Sequence, residues 1–339
     1  MTGSNSATVT PERILQMAWG FSAPLILEAA IKNRVFDVLD EGPKSLAETV
    51  QTTGASERGL AAIMNALVGF NFLAKDVDGK YSLTAESAAF LVSTKPSFQG
   101  GLLRHTSVQL IPNWLELSEV VKTGKPAEAV NQQGTGTEFF EILVPDIFPL
   151  SYPGAQDLAA HFAWAGHEGT ASVLDLGAGS GVWGIAQAQS APNVTVTAVD
   201  WPGVIDVTRA IVGKFGLTDR FTFVTGDLQD ADFGSGHAAA TVGHILHSEG
   251  EERSKKLLKR IFDALASGGT LAIQEFLVNA ERTGPVNGLI FAVNMLVNTE
   301  VGGTYSFEEI AAWLSEAGFT DVRLLEARGP SPLILATKL

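Results

Sequence analysis

Apolar side chains recur with the period of an α-helix through residues 11–39. The positions that share one broad face are Ile14, Met17, Ala18, Phe21, Leu25 and Ala29. In an amphipathic helix such a face packs against another surface. The ten residues before this segment, MTGSNSATVT, are small and polar, which is typical of disorder. We therefore expect the ordered chain to begin near Pro11 with helical structure.

The segment from Ser45 to Thr84 has the boundary residues of two helices and a hairpin. Gly54 predicts a helix end and Ser56 a helix N-cap. Asp78-Gly79 predicts a tight turn between two short strands. Helix, turn, helix and hairpin are the outline of a winged helix, so we expect a winged-helix domain over residues 1–100.

A winged helix raises the hypothesis of DNA binding, which the charges argue against. The second helix, residues 56–70, carries one cation, Arg58, and is otherwise mainly apolar. Residues 1–100 hold eight Lys and Arg against ten Asp and Glu. A recognition helix needs cations and polar side chains that read base edges. We therefore expect this helix to pack against protein rather than to bind nucleic acid.

The hydrophobic pattern changes its period near residue 171. Residues 101–165 show helical patterns that prolines interrupt. After them the apolar runs SVLDL, VTVTAVD, FTFVTGD, AAATVGHIL and GTLAIQEFLV alternate with helical stretches. Runs that are buried on both faces and separated by helices predict an α/β fold with a parallel, doubly wound sheet. A Ser306/Glu309 capping box then opens a late helix, and the strands DVRLLEA and PLILATKL close the chain. The expected parts are a domain of residues 1–100, a helical connector of residues 101–165 and an α/β domain of residues 166–339.

The composition of the chain restricts the classes of partner and of site that we expect. The formal net charge of −14 repels phosphate backbones and anionic lipids, so we expect neither a nucleic-acid nor a membrane partner. The chain has no cysteine, which excludes disulfides, thiolate metal sites and a cysteine nucleophile. No basic segment precedes an apolar one at the N-terminus, and the longest uncharged windows are short or interrupted. These features predict a cytoplasmic protein.

The histidines do not have the spacing of a metal site. No pair of the six shows the HExxH spacing of a zinc helix. His244 and His247 are expected in a strand, where a separation of three places side chains on opposite faces. We therefore expect no metal.

A glycine-rich segment, VLDLGAGSGVWG, joins a predicted strand to a predicted helix. Free backbone amides at a helix N-terminus can meet a ligand there, and glycines let the chain approach it closely. The segment is ambiguous, because residues 179–184, GSGVWG, also satisfy the dinucleotide pattern GxGxxG. That pattern starts three residues after the strand, so a dehydrogenase is the weaker interpretation.

Three aspartates lie at the ends of successive predicted strands. Asp175 precedes the glycines, where a carboxylate would repel a pyrophosphate but suits the cationic amino-acid part of a ligand. Asp200 ends the second strand, nineteen residues after Gly181, and is placed to bind ribose hydroxyls. Asp227, in GDL after the third strand, is placed near an adenine edge. Singly each is more typical of a turn or cap, but together they predict a nucleoside site.

With these residues in place, residues 171–339 resemble a class I S-adenosylmethionine-dependent methyltransferase. Together with the N-terminal region, nearly the whole chain resembles the two-domain O-methyltransferases that include plant caffeate methyltransferases and bacterial tailoring enzymes. The resemblance implies a Rossmann-like sheet, S-adenosylmethionine as cofactor and a winged helix that serves as a homodimerisation domain.

The same resemblance assigns residues to the site. It implies that the cofactor is held by Asp175, Gly177, Gly179, Asp200, Trp201, Asp227 and Leu228. It places the helix with Phe291, Asn294 and Met295 at the acceptor pocket, although core packing explains Phe291 and Met295 equally well. The connector, residues 101–165, is expected to contribute to that pocket.

His247 is the predicted general base and Glu275 the residue that orients it. An imidazole ordinarily titrates near pH 6.5, so it can accept a hydroxyl proton near neutral pH. Glu275 lies in AIQEF, in the next strand, where it could bond the far ring nitrogen. The family has its catalytic histidine and a supporting glutamate at the matching positions. The competing interpretation is that His247 merely precedes a helix capped by Ser248 and Glu251.

The chain departs from the plant enzymes in two places. They follow the histidine with Asp-Trp, where this chain has Ser248-Glu249, and their second supporting acid falls near GGTYS, where Thr304 or Tyr305 stands. We therefore expect a dyad, and O-methylation of a small, largely apolar hydroxylated metabolite. The alternatives are carbon or nitrogen methylation on the same scaffold, or a relative that uses the cofactor site for hydroxylation or decarboxylation.

Overall fold

The computed structural model describes residues 9–339, with the backbone alone described at Thr135. Most of the segment predicted to be disordered, residues 1–8, lies outside the described residues. By its internal contacts the chain forms two compact units, residues 1–108 and 109–339.

The first unit is helical with one hairpin. Its helices are α1 (Glu12–Ala18), α2 (Ser22–Lys32), α3 (Val35–Asp40), α4 (Leu46–Thr53), α5 (Glu57–Gly69), α6 (Ala85–Phe90) and α7 (Gly100–His105). Its strands β1 (Leu73–Lys75) and β2 (Tyr81–Leu83) pair antiparallel. The helix, turn, helix and hairpin predicted for this region are therefore present in the structure.

Local boundary residues explain these elements. The Ser56 hydroxyl accepts a hydrogen bond from the Gly59 amide and so caps α5, while Gly54 ends α4 in a left-handed conformation. Buried Phe36, Leu60 and Met64 lie in the core that α3 and α5 share. The segment predicted as one helical pattern, residues 11–39, is divided into α1, α2 and α3 by short turns.

The N-terminal helices expose much apolar surface. In and beside α1, Ile14 is 74% exposed, Met17 72% and Trp19 69%. Within residues 9–339 one segment, Glu12–Lys32, is long and apolar enough by composition to cross a membrane, with a mean hydropathy of 1.4. A turn at residues 19–21 divides that segment into α1 and α2.

The second unit opens with helices and continues as an α/β fold. Its helices are α8 (Ile111–Trp114), α9 (Leu117–Thr123), α10 (Gln133–Phe162), α11 (Val182–Ser190), α12 (Pro202–Lys214), α13 (Leu246–Ala264), α14 (Val286–Asn298) and α15 (Phe307–Ala317). Its strands are β3 (Ala171–Leu176), β4 (Val194–Asp200), β5 (Phe221–Thr225), β6 (His237–Gly243), β7 (Leu265–Gln274), β8 (Thr320–Leu325) and β9 (Leu333–Thr337).

Within the described chain, these seven strands form one sheet in the order β5-β4-β3-β6-β7-β9-β8. The first five are parallel to one another, and β9 pairs antiparallel with β7 and β8. Helices pack on both faces over two apolar clusters. The strand order reverses between β3 and β6, and ligands of open α/β sheets bind beyond the carboxyl ends of strands at such a point.

The prolines of the connector do not break its long helix as expected. Pro145, Pro149 and Pro153 all lie inside α10. Their spacing of four residues puts the three missing amide donors on one side of the helix. The remaining backbone bonds therefore continue along the other side.

Candidate active site

The glycine loop runs between the end of β3 and the start of α11. Gly177 follows the strand directly and has a φ of +60°, which L side chains rarely adopt. A Cβ placed on it would lie 2.3 Å from Cδ1 of Ile245. The loop therefore requires glycine at 177, both for its conformation and for its contact with the segment after β6.

Asp175 does not present its carboxylate to open space as the sequence suggested. Its side chain is fully buried, and its Oδ2 accepts from the Gly184 amide at 2.9 Å and its Oδ1 from the Thr241 hydroxyl at 2.7 Å. Burial raises the pKa of Asp175 to about 7, against the lowering effect of these two bonds. In this structure the Asp175 side chain ties β3 to the first turn of α11 and to β6.

Asp200 lies at the end of β4 and faces the loop. Its Oδ2 accepts from the Gly179 amide at 2.8 Å and its Oδ1 from the Trp201 amide at 2.7 Å. Burial raises the pKa of Asp200 to about 6, although the two amide bonds oppose the shift. Each carboxylate oxygen has a second lone pair, and the residue is partly exposed. A ribose diol can therefore bond Asp200 without displacing the amides, so the site fits a nucleoside.

Of the other predicted cofactor residues, Leu228 borders the same loop, Trp201 follows Asp200, and Asp227 contacts residues outside the loop. The ring of Trp201 lies 6.1 Å from that of Phe140 on α10. Leu228 is buried, with its Cδ1 3.8 Å from the Cβ position of Gly177. Asp227 accepts from the Gln229 amide and pairs with Arg253, whose Nη2 lies 3.1 Å from Oδ1. Apolar and aromatic surface is therefore present beside Asp200, as an adenine requires.

His247 is in a helix rather than at the end of a strand. The strand β6 stops at Gly243, four residues earlier than the sequence suggested, and His247 lies in the first turn of α13. Gly250, with φ 76° and ψ 170°, then breaks the helix. The competing interpretation required a capping box, but the Ser248 hydroxyl donates to the Ile245 carbonyl instead. Capping therefore does not explain this histidine.

The structure brings His247 and Glu275 together. Glu275 is one residue beyond β7, and its Oε2 lies 2.8 Å from Nδ1 of His247 while its Oε1 accepts from the His247 amide at 3.3 Å. The two side chains are 12% and 3% exposed. Burial opposes ionisation of Glu275, but the contact with His247 brings its pKa below the ordinary range. A carboxylate that accepts a hydrogen bond from Nδ1–H keeps the ring proton on that nitrogen. The lone pair of Nε2 is then free to accept another proton.

His244 also lies near this pair. The expectation that His244 and His247 point to opposite faces of one strand was therefore wrong. His244 follows β6 with a φ of +60°, and its ring centroid lies 6.2 Å from that of His247. One ligand atom from each of His244, His247 and Glu275 lies within 4.8 Å of the others. The expectation of no metal remains a prediction, but its premise about the strand was wrong.

The predicted acceptor residues on α14 divide into two groups. The Phe291 ring contacts His247, with centroids 4.9 Å apart, and Phe276 at 4.2 Å. Asn294 instead accepts from the Trp114 indole at 2.9 Å, and Met295 is buried. Phe291 is therefore at the dyad, while Asn294 and Met295 are engaged in packing α14.

Sequence reasoning missed two neighbours of the dyad and named a third, Tyr305, without giving it a role. Phe276 follows Glu275 directly and packs against both histidine rings. The Oε1 atom of Gln274 accepts a hydrogen bond from Nε2 of His244 at 3.1 Å. Tyr305 is close enough for the charge of Glu275 to add to burial in raising its pKa to about 12. The run QEF in the fifth strand pattern could have pointed to the first two.

Comparison with known proteins gives the family. A model of the O-methyltransferase domain matches residues 156–320, and a model of the O-methyltransferase dimerisation domain matches residues 15–93. A 3-hydroxy-5-methyl-1-naphthoate 3-O-methyltransferase from Streptomyces sahachiroi is 31% identical over 97% of this chain and 96% of its own. The tetracenomycin polyketide synthesis 8-O-methyl transferase TcmO from Streptomyces glaucescens is 28% identical over 97% of each.

A solved structure agrees at the level of the fold. Human N-acetylserotonin methyltransferase in complex with S-adenosylmethionine has a TM-score of 0.82 and 24% identity, with 99% of each chain covered. The dehydrogenase interpretation of GSGVWG finds no support among these relatives. The chain belongs to the S-adenosylmethionine-dependent O-methyltransferase family.

Proposed function

We propose that this enzyme methylates a hydroxyl group of a small, largely apolar metabolite, with His247 as the general base and Glu275 as its orienting partner. The observation that carries the proposal is the 2.8 Å contact between Nδ1 of His247 and Oε2 of Glu275. Glu275 holds the proton on Nδ1, so that Nε2 accepts the proton of the attacking hydroxyl. The carboxylate then stabilises the imidazolium that forms.

The proposed cofactor site uses the residues around the glycine loop. When bound, S-adenosylmethionine supplies an electrophilic methyl group. Asp200 binds the ribose diol with its two remaining lone pairs, and Gly177 and Gly179 let the backbone approach the amino-acid part. Trp201 and Leu228 provide surface for the adenine. Asp175 acts indirectly, because one of its oxygens is bonded to the first turn of α11 and the other to β6.

The surroundings of the dyad favour an aromatic acceptor. The rings of Phe276 and Phe291 are 4.2 Å apart, and Phe291 meets His247 edge-on. Such surfaces bind flat apolar molecules by burial and stacking. The names of two relatives, a naphthoate methyltransferase and a polyketide methyl transferase, support the same class. Trp114, which bonds Asn294, supports a role for the connector beside the acceptor helix.

A direct assay tests this function. The protein is incubated with methyl-labelled S-adenosylmethionine and a panel of phenolic, polyketide and tetrapyrrole acceptors, and each product is located by NMR. We expect label on an aromatic oxygen. Label on carbon or nitrogen would replace O-methylation by the alternative on the same scaffold, and consumption of cofactor without methyl transfer would contradict the proposal.

We also propose that the protein is a cytoplasmic homodimer that uses its N-terminal domain. The match to the dimerisation domain and the exposed Ile14, Met17 and Trp19 support this assembly, because a second copy packed on these side chains removes their apolar surface from water. Light scattering at micromolar concentration should give twice the monomer mass. Replacing Ile14 and Met17 by Glu should yield monomer, whereas a monomeric wild-type protein would contradict the proposal.

A further inference from the structure

His244 has an unusual combination of features that the proposed reaction does not use. Its backbone has a φ of +60°, which is uncommon for a residue other than glycine. Its Nδ1 is buried and has no hydrogen-bond partner. Buried polar atoms are nearly always bonded, and a strained residue persists only where the surrounding structure holds it. Both features coincide three residues before the proposed base.

The tautomer of His244 follows from its neighbours. The Gln274 side chain donates through Nε2 to the Ser331 carbonyl at 3.0 Å, and only its amide nitrogen can do so. Its Oε1 therefore faces Nε2 of His244 at 3.1 Å and accepts from it. The ring proton is on Nε2, which leaves a lone pair on Nδ1. Burial lowers the pKa of His244 to about 4, so the ring is neutral near pH 7.

Two imidazole rings that each keep one acceptor nitrogen free of hydrogen bonds thus lie near each other. Glu275 fixes the proton of His247 on Nδ1, so Nε2 of His247 also presents a lone pair. The two rings are 6.2 Å apart, and Phe276 packs against both, at 4.6 Å from His244 and 6.4 Å from His247. Neither histidine can donate to the other in these tautomers. A ligand with two neighbouring donors would satisfy both nitrogens.

We propose that His244 positions the acceptor by accepting a hydrogen bond at Nδ1 from a second hydroxyl, adjacent to the one that is methylated. The acceptor class is therefore an aromatic molecule with neighbouring hydroxyl groups. This inference rests on the proposed function, because it takes His247 as the group that receives the first hydroxyl. His244 is a positioning residue and takes no proton in the reaction.

The test measures binding, so that it is independent of turnover. The probes are 2,3-dihydroxynaphthalene and 2-naphthol, titrated by calorimetry into protein saturated with S-adenosylhomocysteine. The variants are His244→Phe, which keeps a ring against Phe276 but has no acceptor, and His244→Asn, which places an amide oxygen near the Nδ1 position. Asparagine also tolerates the left-handed conformation. Both variants lose the bond to Gln274, and 2-naphthol, which lacks the second hydroxyl, reports any effect on binding other than loss of the acceptor at Nδ1.

We expect the wild-type protein to prefer the diol, and His244→Phe to weaken diol binding about tenfold with little change for 2-naphthol. His244→Asn should retain most of the diol preference, and all three proteins should bind S-adenosylhomocysteine equally. Equal losses for both probes, or no wild-type preference for the diol, would overturn the proposal. Absence of methyl transfer to a diol that still binds through His244 would instead contradict the proposed function.

Discussion

The two halves of the candidate site are built in different ways. Beyond β3 and β4, the carboxylates of Asp175 and Asp200 are held by backbone amides and a hydroxyl from nearby segments. Beyond β6 and β7, the pair of the His247 imidazole and the Glu275 carboxylate lies beside a strained histidine, His244, which has an unpartnered nitrogen. A nearly satisfied site is preorganised for one constant ligand. A site with unpaired hydrogen-bonding atoms is completed only when its ligand binds. This suits the methyl acceptor, which is the substrate that varies among methyltransferases.

The largest effect should come from the acceptor half. Replacing His247 by Gln removes the proposed base, so turnover should fall by roughly 10²–10⁴ while cofactor affinity holds. Steady-state kinetics and calorimetry measure the two quantities. His167→Gln, at an exposed histidine, is the matched control and should change neither. Near-normal turnover of His247→Gln across pH 6 to 9 would contradict its role as base.

The glycine loop should tolerate no side chain at its first position. Gly177→Ala adds backbone strain and a clash with Ile245, so we expect a loss of about 2–4 kcal/mol in the free energy of unfolding. Gly216→Ala is the control, because Gly216 has a φ of +68° but open space at its Cβ, and should cost about 1 kcal/mol.

Denaturant unfolding of both variants measures the difference. Combining Gly177→Ala with Ile245→Ala should recover part of the loss, since the contacting atoms are removed. Equal costs at Gly177 and Gly216 would show that strain alone, and not the contact with the β6 side, requires the glycine.

The cofactor half should lose affinity rather than turnover. Asp200→Ala removes two charge-assisted bonds to the ribose, so S-adenosylmethionine should bind at least about tenfold more weakly. Calorimetry checks this value. Asp206→Ala, at an exposed ion pair on α12, is the control and should bind normally. Unchanged affinity in Asp200→Ala would remove Asp200 from the site.

The smallest effect is a pH dependence of cofactor binding. The pKa of Asp200 is raised to about 6, so part of the free protein carries a proton there near that pH. Hydroxyl donors favour the ionised carboxylate, so binding should release a fraction of a proton and strengthen from pH 5 to 7. Calorimetry in two buffers of different ionisation enthalpy measures the release. Asp200→Asn should abolish it, and proton uptake by the wild-type protein would contradict the assignment.

The sequence by itself determined the helix, turn, helix and hairpin of the first unit and the glycine loop of the second. These features depend on residues close in sequence, such as Ser45 with Glu48 and Ser56 with Gly59. Local hydrogen bonds and backbone preferences need no distant partner, so periodicity and capping residues reveal them. The pairing of His247 with Glu275 was predicted from their places in successive strand patterns together with the family resemblance.

Only the tertiary structure decided the features that depend on contacts between residues far apart in the sequence. Periodicity extended β6 to His247, but the chain leaves the sheet at Gly243 and turns at His244. Asp175 was expected to meet a ligand, yet the neighbouring strand supplies Thr241 as its partner. Pattern along one strand carries no information about the side chains of the next, because register and burial arise only when the sheet assembles. The orientation of Gln274, and with it the free nitrogen of His244, depends on Ser331, 57 residues away in the chain.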